Sequence, residues 1–190
     1  MNISSRKNGY TIVEMLIAMF LTGIVALASY NFYIRLHNSA ITQDNITEMQ
    51  QNSRNTLQEI CKNVRMAGFK IGSHAPYSIN GDSLYIFFSQ TQPVDTILYY
   101  LENYTGGELS WISSLPEDQR PQKLMKKVNS NQAEVFSDYV RNLRFTVTGP
   151  ASLSISLLVQ VPQADEDYYL NDGVRNLAQT ENITIRNLNL

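Results

Sequence analysis

The residues best suited to do chemistry lie within the first fourteen positions of this 190-residue chain. Gly9 ends a short polar stretch that contains Arg6 and Lys7, and Tyr10 opens an apolar run. Glu14 stands inside that run, where a carboxylate costs about 2.5–3.5 kcal/mol on membrane-insertion scales. A charge in such a place needs a function or a partner, unless it simply lies at the level of the lipid headgroups.

The segment from Met15 to Ile34 contains twenty residues and no charge. As a helix it would rise roughly 30 Å, which is enough to cross a bilayer. Arg6 and Lys7 would keep the N-terminal side in the cytoplasm, so the rest of the chain would lie outside. A cleaved secretory signal would have a shorter apolar core followed by a small-residue cleavage site. Here the run continues into more helical sequence, which favours an anchor.

The decapeptide from Gly9 to Ala18, GYTIVEMLIA, closely resembles the signature of type IV pilins. The resemblance implies that a prepilin peptidase cuts between Gly9 and Tyr10 and that the new amino group of Tyr10 is methylated. It also implies that Glu14 neutralises the terminal ammonium of a neighbouring subunit in a filament. Most members of the family have Phe where this chain has Tyr10, and the exchange keeps an aromatic ring.

Beyond the apolar run the pattern predicts the upper half of the same helix, which extends from about Thr11 to about Met66. Apolar and small residues at spacings of three and four form one inward stripe: Ile46, Met49, Ser53, Leu57, Ile60, Val64 and Ala67. Gly68 and Gly72 are the expected stop signals. Cys61, the sole cysteine, lies beside this stripe and is interpreted as a small buried hydrophobe.

After Gly72 the pattern changes to β-rich runs separated by turn residues. The predicted strands are Ser83–Ser89, Thr96–Glu102, Glu108–Ile112, Val140–Thr148, Ser152–Val161 and Asn182–Asn187. Turns are predicted at residues 80–82, 106–107 and 149–150, and a long surface loop from Ser113 to Asn131. The predicted fold class is therefore α+β, with a long N-terminal helix whose lower half is transmembrane and an antiparallel sheet packed on its upper half.

The predicted organisation has four parts. Residues 1–9 form a leader, 10–34 a transmembrane or filament-core helix, 35–72 an amphipathic upper helix and 73–190 a β-rich head. Several segments of the body are similar to PilW-type minor pilins and to the J-type pseudopilins of type II secretion: residues 65–69 (RMAGF), 82–86 (DSLYI), 140–145 (VRNLRF) and 185–187 (IRN).

Other chemistry has little support in the sequence. A formal net charge of −2 provides no basic surface for nucleic acid, and His37 and His74 stand apart from any nucleophile motif. Asp165, Asp167 and Asp172 are weak candidates for a calcium site, but their spacing does not fit an EF-hand loop. We expect no metal, no cofactor and no enzymatic activity.

The resemblance favours a PilW-like minor pilin that takes part in pilus assembly or initiation. Its partners would be other minor pilins, the major pilin, the prepilin peptidase with its N-methyltransferase activity and the inner-membrane assembly platform, with membrane lipid before assembly. The protein would be a single-pass inner-membrane protein with its head outside the cytoplasm, and then part of a filament. A J-type pseudopilin is the first alternative. A single-pass anchored binding domain or enzyme is an alternative of another class.

Overall fold

The computed structural model describes residues 10–89, 94–105, 112, 115–163, 165, 168, 170 and 173–187. Contacts within the chain divide it into two compact units, residues 1–44 and residues 45–190. The described part of the first unit contains the N-terminal part of a helix, and the second unit contains the rest of that helix together with a β-sheet.

The long helix, α1, runs from Ile12 to Met66, close to the predicted limits. It continues this far because no proline occurs before Pro76 and nothing else breaks the backbone hydrogen bonding. It ends where Gly68 adopts a left-handed φ of +83°, a conformation that glycine takes without a steric penalty.

Among the described residues, seven strands form one antiparallel sheet in the order β1 to β7, so that each strand pairs with its neighbours in sequence. The bounds are β1 Tyr77–Asn80, β2 Ser83–Phe88, β3 Asp95–Asn103, β4 Gln122–Val128, β5 Glu134–Gly149, β6 Ser152–Gln160 and β7 Asn176–Thr184. A helix combined with an antiparallel meander confirms the predicted α+β class.

The core of the second unit lies between the inner face of the sheet and one stripe of α1. Strand residues of alternating position supply the sheet side, among them Leu84, Ile86, Tyr99, Leu124, Leu143, Ile155 and Leu157. The helix side includes Met49, Ser53, Leu57, Ile60 and Val64, which are all buried, with Ile46 partly buried beside them and Ala67 buried directly after the helix. The predicted inward stripe is therefore confirmed, and Cys61 is buried next to it, 6% exposed.

The predicted loop from Ser113 to Asn131 is wrong over Gln122–Val128, which form strand β4. Two successive residues of this strand, Leu124 and Met125, are both buried, and the pairing of β4 with β5 shifts register on both sides of Leu124. A β-bulge of this kind interrupts the alternation of inward and outward side chains. The period of two on which the sequence prediction depends is therefore missing from β4.

The last strand begins six residues earlier than predicted, at Asn176 rather than Asn182. The residues that pair with the buried Leu157 and Ile155 of β6 are the polar Gln179 and Glu181, so this part of β7 has no apolar alternation to detect. The four-residue strand β1 was not predicted. The predicted strand 108–112 and the predicted turn at 106–107 lie outside the described residues, apart from Ile112. That residue has a 3₁₀ conformation rather than a strand conformation.

Candidate functional site

The N-terminal end of the described chain is open to its surroundings. The Tyr10 side chain is 83% exposed and precedes the first turn of α1, whereas Gly9 lies outside the described residues. Of the two residues at the predicted cleavage site, Tyr10 alone is described, and it lies exposed just before α1 begins.

Thr11 caps the N-terminus of α1. Its Oγ1 accepts a hydrogen bond from the backbone N–H of Glu14 at 3.2 Å, and its carbonyl oxygen accepts one from the N–H of Met15 at 3.2 Å. A helix leaves its first N–H groups without partners within the helix, and a threonine at the cap satisfies one of them. Sequence reasoning missed Thr11, although Thr-x-x-Glu before an apolar run is the known signature of a capping box.

The cap places Glu14 in the first turn of α1, at the positive end of the helix dipole. Cleavage before Tyr10 would create an ammonium one residue before the cap, and the same dipole end disfavours that cation. A carboxylate at this end of the helix therefore offsets two positive charges, the partial charge of the dipole and the charge of a new terminus.

The apolar part of α1 has no cover within the described residues. The part of the helix that is long and apolar enough to cross a membrane is 0% buried, and its large side chains, from Ile12 to Leu36, are exposed. The hydroxyl of Thr22 donates to the carbonyl oxygen of Ala18 at 2.7 Å, so this polar group needs no further partner in lipid. Such a surface requires lipid or neighbouring helices.

Three polar contacts fix the upper part of α1 against the sheet of the second unit. Asn63 Nδ2 donates to the Tyr99 hydroxyl at 2.7 Å, in a buried position. The Ser53 hydroxyl donates to Gln179 Oε1 at 2.8 Å, and Lys126 Nζ lies 2.6 Å from Glu59 Oε1. Burial raises the pKa of the Tyr99 phenol, and the Asn63 hydrogen bond only partly opposes that shift.

A polar groove of about 400 Å³ opens between α1 and the sheet within the second unit. One wall is a stripe of α1 from Asn45 to Glu59, and the other consists of the first part of β5 and the end of β6. Its volume falls within the usual range of ligand sites. Gln160, 2% exposed, lies on the sheet side, and neither polar atom of its amide has a hydrogen-bond partner among the described residues.

The candidate calcium ligands are only partly described. Asp165 Oδ2 accepts two hydrogen bonds from Arg175, from Nε at 2.9 Å and from Nη2 at 2.7 Å, so this carboxylate is engaged in an ion pair. Asp167 and Asp172 lie outside the described residues. Within the described part of the chain, no three His, Cys, Asp or Glu side chains group as metal ligands would.

The second unit does not give Cys61 the surroundings of a reactive thiol. Burial raises its pKa, and the negative charge of Glu181 adds to the shift, so less thiolate is present at neutral pH. This agrees with its interpretation as a small buried hydrophobe.

Comparison with known proteins identifies one region. Residues 4–30 match the family described as the prokaryotic N-terminal methylation motif. This segment contains Gly9, Tyr10, Thr11 and Glu14 as well as most of the uncovered apolar run. Neither a curated protein nor a solved structure matches the chain significantly.

Proposed function

We propose that this type IV pilin-like protein, which its N-terminal motif marks for processing by prepilin peptidase, is a minor pilin of the PilW type that takes part in pilus assembly. The observation that carries the proposal is the match of residues 4–30 to the methylation motif on a helix whose apolar surface is uncovered. The similarity of residues 65–69, 82–86, 140–145 and 185–187 to PilW-type proteins supports the finer assignment.

In this proposal, cleavage occurs between Gly9 and Tyr10, and Tyr10 is then N-methylated. Before assembly the protein is anchored by α1 in the inner membrane, with its head outside the cytoplasm. Assembly exchanges lipid for the helices of neighbouring subunits around the apolar run. Glu14 pairs with the terminal ammonium of a neighbour, which fixes the register between subunits because either charge alone is disfavoured in an apolar environment.

The local geometry supports a role for Glu14 in assembly rather than in catalysis. Its backbone is held by the Thr11 cap, so the carboxylate starts from a fixed point on the first helical turn. The residues on either side of it in sequence, Val13 and Met15, are apolar and exposed, as an assembly surface requires. The partners remain those that the resemblance implies: other minor pilins, the major pilin, the peptidase and the assembly platform.

The first test is mass spectrometry of the N-terminus of the protein purified from its native membrane. We expect a chain that begins at Tyr10 and carries one additional methyl group. A chain that begins at Met1, in cells whose peptidase processes other prepilins, would overturn the proposal.

The second test separates a pilus from a type II secretion system. Deletion of the gene should reduce the number of surface pili seen by electron microscopy and leave the secreted proteins in the medium unchanged. The opposite result would assign the protein to the J-type pseudopilins.

One observation favours a function of another class, a single-pass anchored binding domain. The groove of the second unit is concave and lined largely by polar residues, which is the kind of feature expected of a ligand-binding head. An intact leader in the mature protein, together with ligand binding by the head, would favour this function over the pilin.

A further inference from the structure

A small apolar pocket lies in the second unit where α1 ends, beside the end of β2 and the segment after β7. Its volume is about 230 Å³, and three apolar side chains line it: Met66, Phe69 and Phe88. Phe88 belongs to the core, whereas Phe69 is 42% exposed. A single exposed ring is ordinary, but a ring on the wall of a concave apolar pocket is the usual form of a binding site.

Backbone hydrogen bonds hold the walls of this pocket against each other. The N–H of Gly68 donates to the carbonyl oxygen of Phe87 at 2.8 Å, and the N–H of Ser89 donates to that of Phe69 at 2.8 Å. The turn after α1 is thereby joined to the end of β2 on both sides of Phe88. A pocket that is already formed loses little conformational entropy when a ligand binds.

Three cations surround the pocket. Arg65 and Arg186 line it, and Lys70 Nζ lies 5.2 Å from the centroid of the Phe69 ring. All three residues are exposed, and none of them forms an ion pair with a carboxylate in the described part of the chain. No Asp or Glu is among the described residues that line the pocket, so its rim is positive.

The end of α1 does not use these cations as caps. Basic side chains near the C-terminus of a helix often hydrogen-bond to its last carbonyl oxygens. Here the carbonyl oxygen of Arg65 accepts from Asn187 Nδ2 at 3.3 Å, and that of Met66 accepts from the N–H of Phe69 at 3.1 Å. The positive side chains therefore remain available to a ligand.

Charge complementarity selects a ligand that carries carboxylates. The guanidinium groups of Arg65 and Arg186 each present planar pairs of donors that match a carboxylate. A phosphate can use these donors as well, but it would leave the apolar walls empty. A ligand that combines an apolar group with carboxylates uses both parts of the surface.

The volume of the pocket selects one side chain rather than a larger ligand. Sites for small molecules usually span about 300–1,000 Å³, and a cavity of about 150 Å³ is enough for a benzene ring. At about 230 Å³ the pocket accommodates one Phe or Leu side chain. A lipid would leave most of its acyl chain in water, so a peptide fits better.

We propose that this pocket at the end of α1 binds an acidic peptide segment of another protein through one large apolar side chain. That side chain fills the space beside Phe69 and Phe88, and carboxylates on the neighbouring residues of the peptide pair with the three cations. The proposal concerns the head alone, so it can fail while the pilin assignment stands. Its test accordingly measures peptide binding rather than assembly.

The test measures fluorescence polarisation of labelled hexapeptides with the full-length protein in phosphatidylcholine nanodiscs, with empty nanodiscs as the background. The probe has one Phe flanked by acidic residues. A second peptide has Lys in place of the acidic residues, and a third has Gly in place of the Phe. We expect saturable binding of the probe alone, weakened by added salt because the charges are exposed.

Two variants of the pocket should weaken binding of the probe. Arg186→Gln should reduce affinity about threefold, because it removes one charge from the rim. Phe69→Ala should reduce it about tenfold, because it removes an apolar wall. Arg54→Gln and Val147→Ala are the matched controls, since both residues are exposed and neither lines the pocket; we expect unchanged affinity.

Thermal unfolding establishes that each variant is folded, and if Phe69→Ala is not, Arg186→Gln and the peptide without Phe decide. Absence of saturable binding, equal binding of either control peptide, or unchanged affinity in both pocket variants would overturn the proposal. Binding that requires deletion of residues 188–190 would assign the pocket to those residues instead. A dimer in sedimentation velocity that Arg186→Gln dissociates would assign it to a second copy, and either result would also overturn the proposal.

Discussion

The carbonyl oxygen of Asn187 occupies the space in which a side chain at Gly68 would begin. Asn187 Nδ2 also donates to the carbonyl oxygen of Arg65 at 3.3 Å, and the Gly68 N–H donates to the carbonyl oxygen of Phe87 at 2.8 Å. The end of α1, strand β2 and the segment after β7 thus meet around one glycine. Residues 65–69 and 185–187, two of the four segments that resemble PilW-type minor pilins, are in contact here.

Gly68→Ala should destabilise the head by about 2–4 kcal/mol, because Ala disfavours the φ of +83° and its Cβ clashes with backbone. Gly72→Ala is the matched control. Its φ is +68°, but nothing lies within 4 Å of the added Cβ. The Ala variant should therefore lose only about 1 kcal/mol of stability, the cost of a left-handed backbone for a residue with a side chain. Chemical unfolding curves of the two variants would measure the difference. Equal destabilisation would contradict the close approach.

Glu14→Gln should prevent incorporation into a filament and leave cleavage after Gly9 intact. The change keeps the size of the side chain and removes the charge that would pair with a neighbouring terminus. We expect recovery in sheared filaments to fall at least about tenfold, given the strength of charge pairs in apolar surroundings. Asp44→Asn, also on α1 and exposed, is the control and should assemble normally. Normal assembly of Glu14→Gln would contradict the pairing.

The stability of the head should fall at alkaline pH. Burial raises the pKa of both Tyr99 and Tyr104, so the folded state keeps its phenol protons where the unfolded state, with a pKa of about 10, begins to lose them. The folded state then binds more protons, and the free energy of unfolding decreases as pH rises above about 10.

Tyr99→Phe should make that decline shallower. It should also lower stability below pH 9 by about 1–3 kcal/mol, because the buried amide of Asn63 loses its partner. Urea unfolding at pH 7 to 11 would measure both effects. The same alkaline slope in the variant and the wild type would show that Tyr99 is not the titrating group.

Cys61 should react very slowly with iodoacetamide in the folded protein. It is 6% exposed, and burial raises its pKa, so both access and thiolate are limited. We expect alkylation at least about a hundredfold slower than for an exposed thiol on the same helix, because reaction requires local opening. Gln58→Cys in a Cys61→Ala background supplies that thiol. Equal rates would contradict the burial of Cys61.

The sequence predicts the long helix and its inward stripe because both follow from local periodicity. A twenty-residue run without charge and a stripe at spacings of three and four are both typical of an α-helix, and α1 extends from Ile12 to Met66. The chemistry predicted for Gly9, Tyr10 and Glu14 likewise depends on a few adjacent residues. The Thr11 cap could have been predicted in the same way, since Thr-x-x-Glu is a local signal.

Strand β4 and the start of β7 could not be predicted in this way. The bulge in β4 exists only through its pairing with β5, and the inward Gln179 of β7 is satisfied by Ser53 of α1. Both depend on partners that are distant in sequence, so no local period reports them.

The N-terminal motif, the apolar run and the α+β class can be recognised in the sequence, because each depends on residue types at short, regular spacing. The contact of Gly68 with Asn187 and the groove lined by Gln160, Ser137 and Tyr139 become visible only in the folded chain. Burial and a close backbone approach arise between residues that are distant in sequence, so no local pattern predicts them.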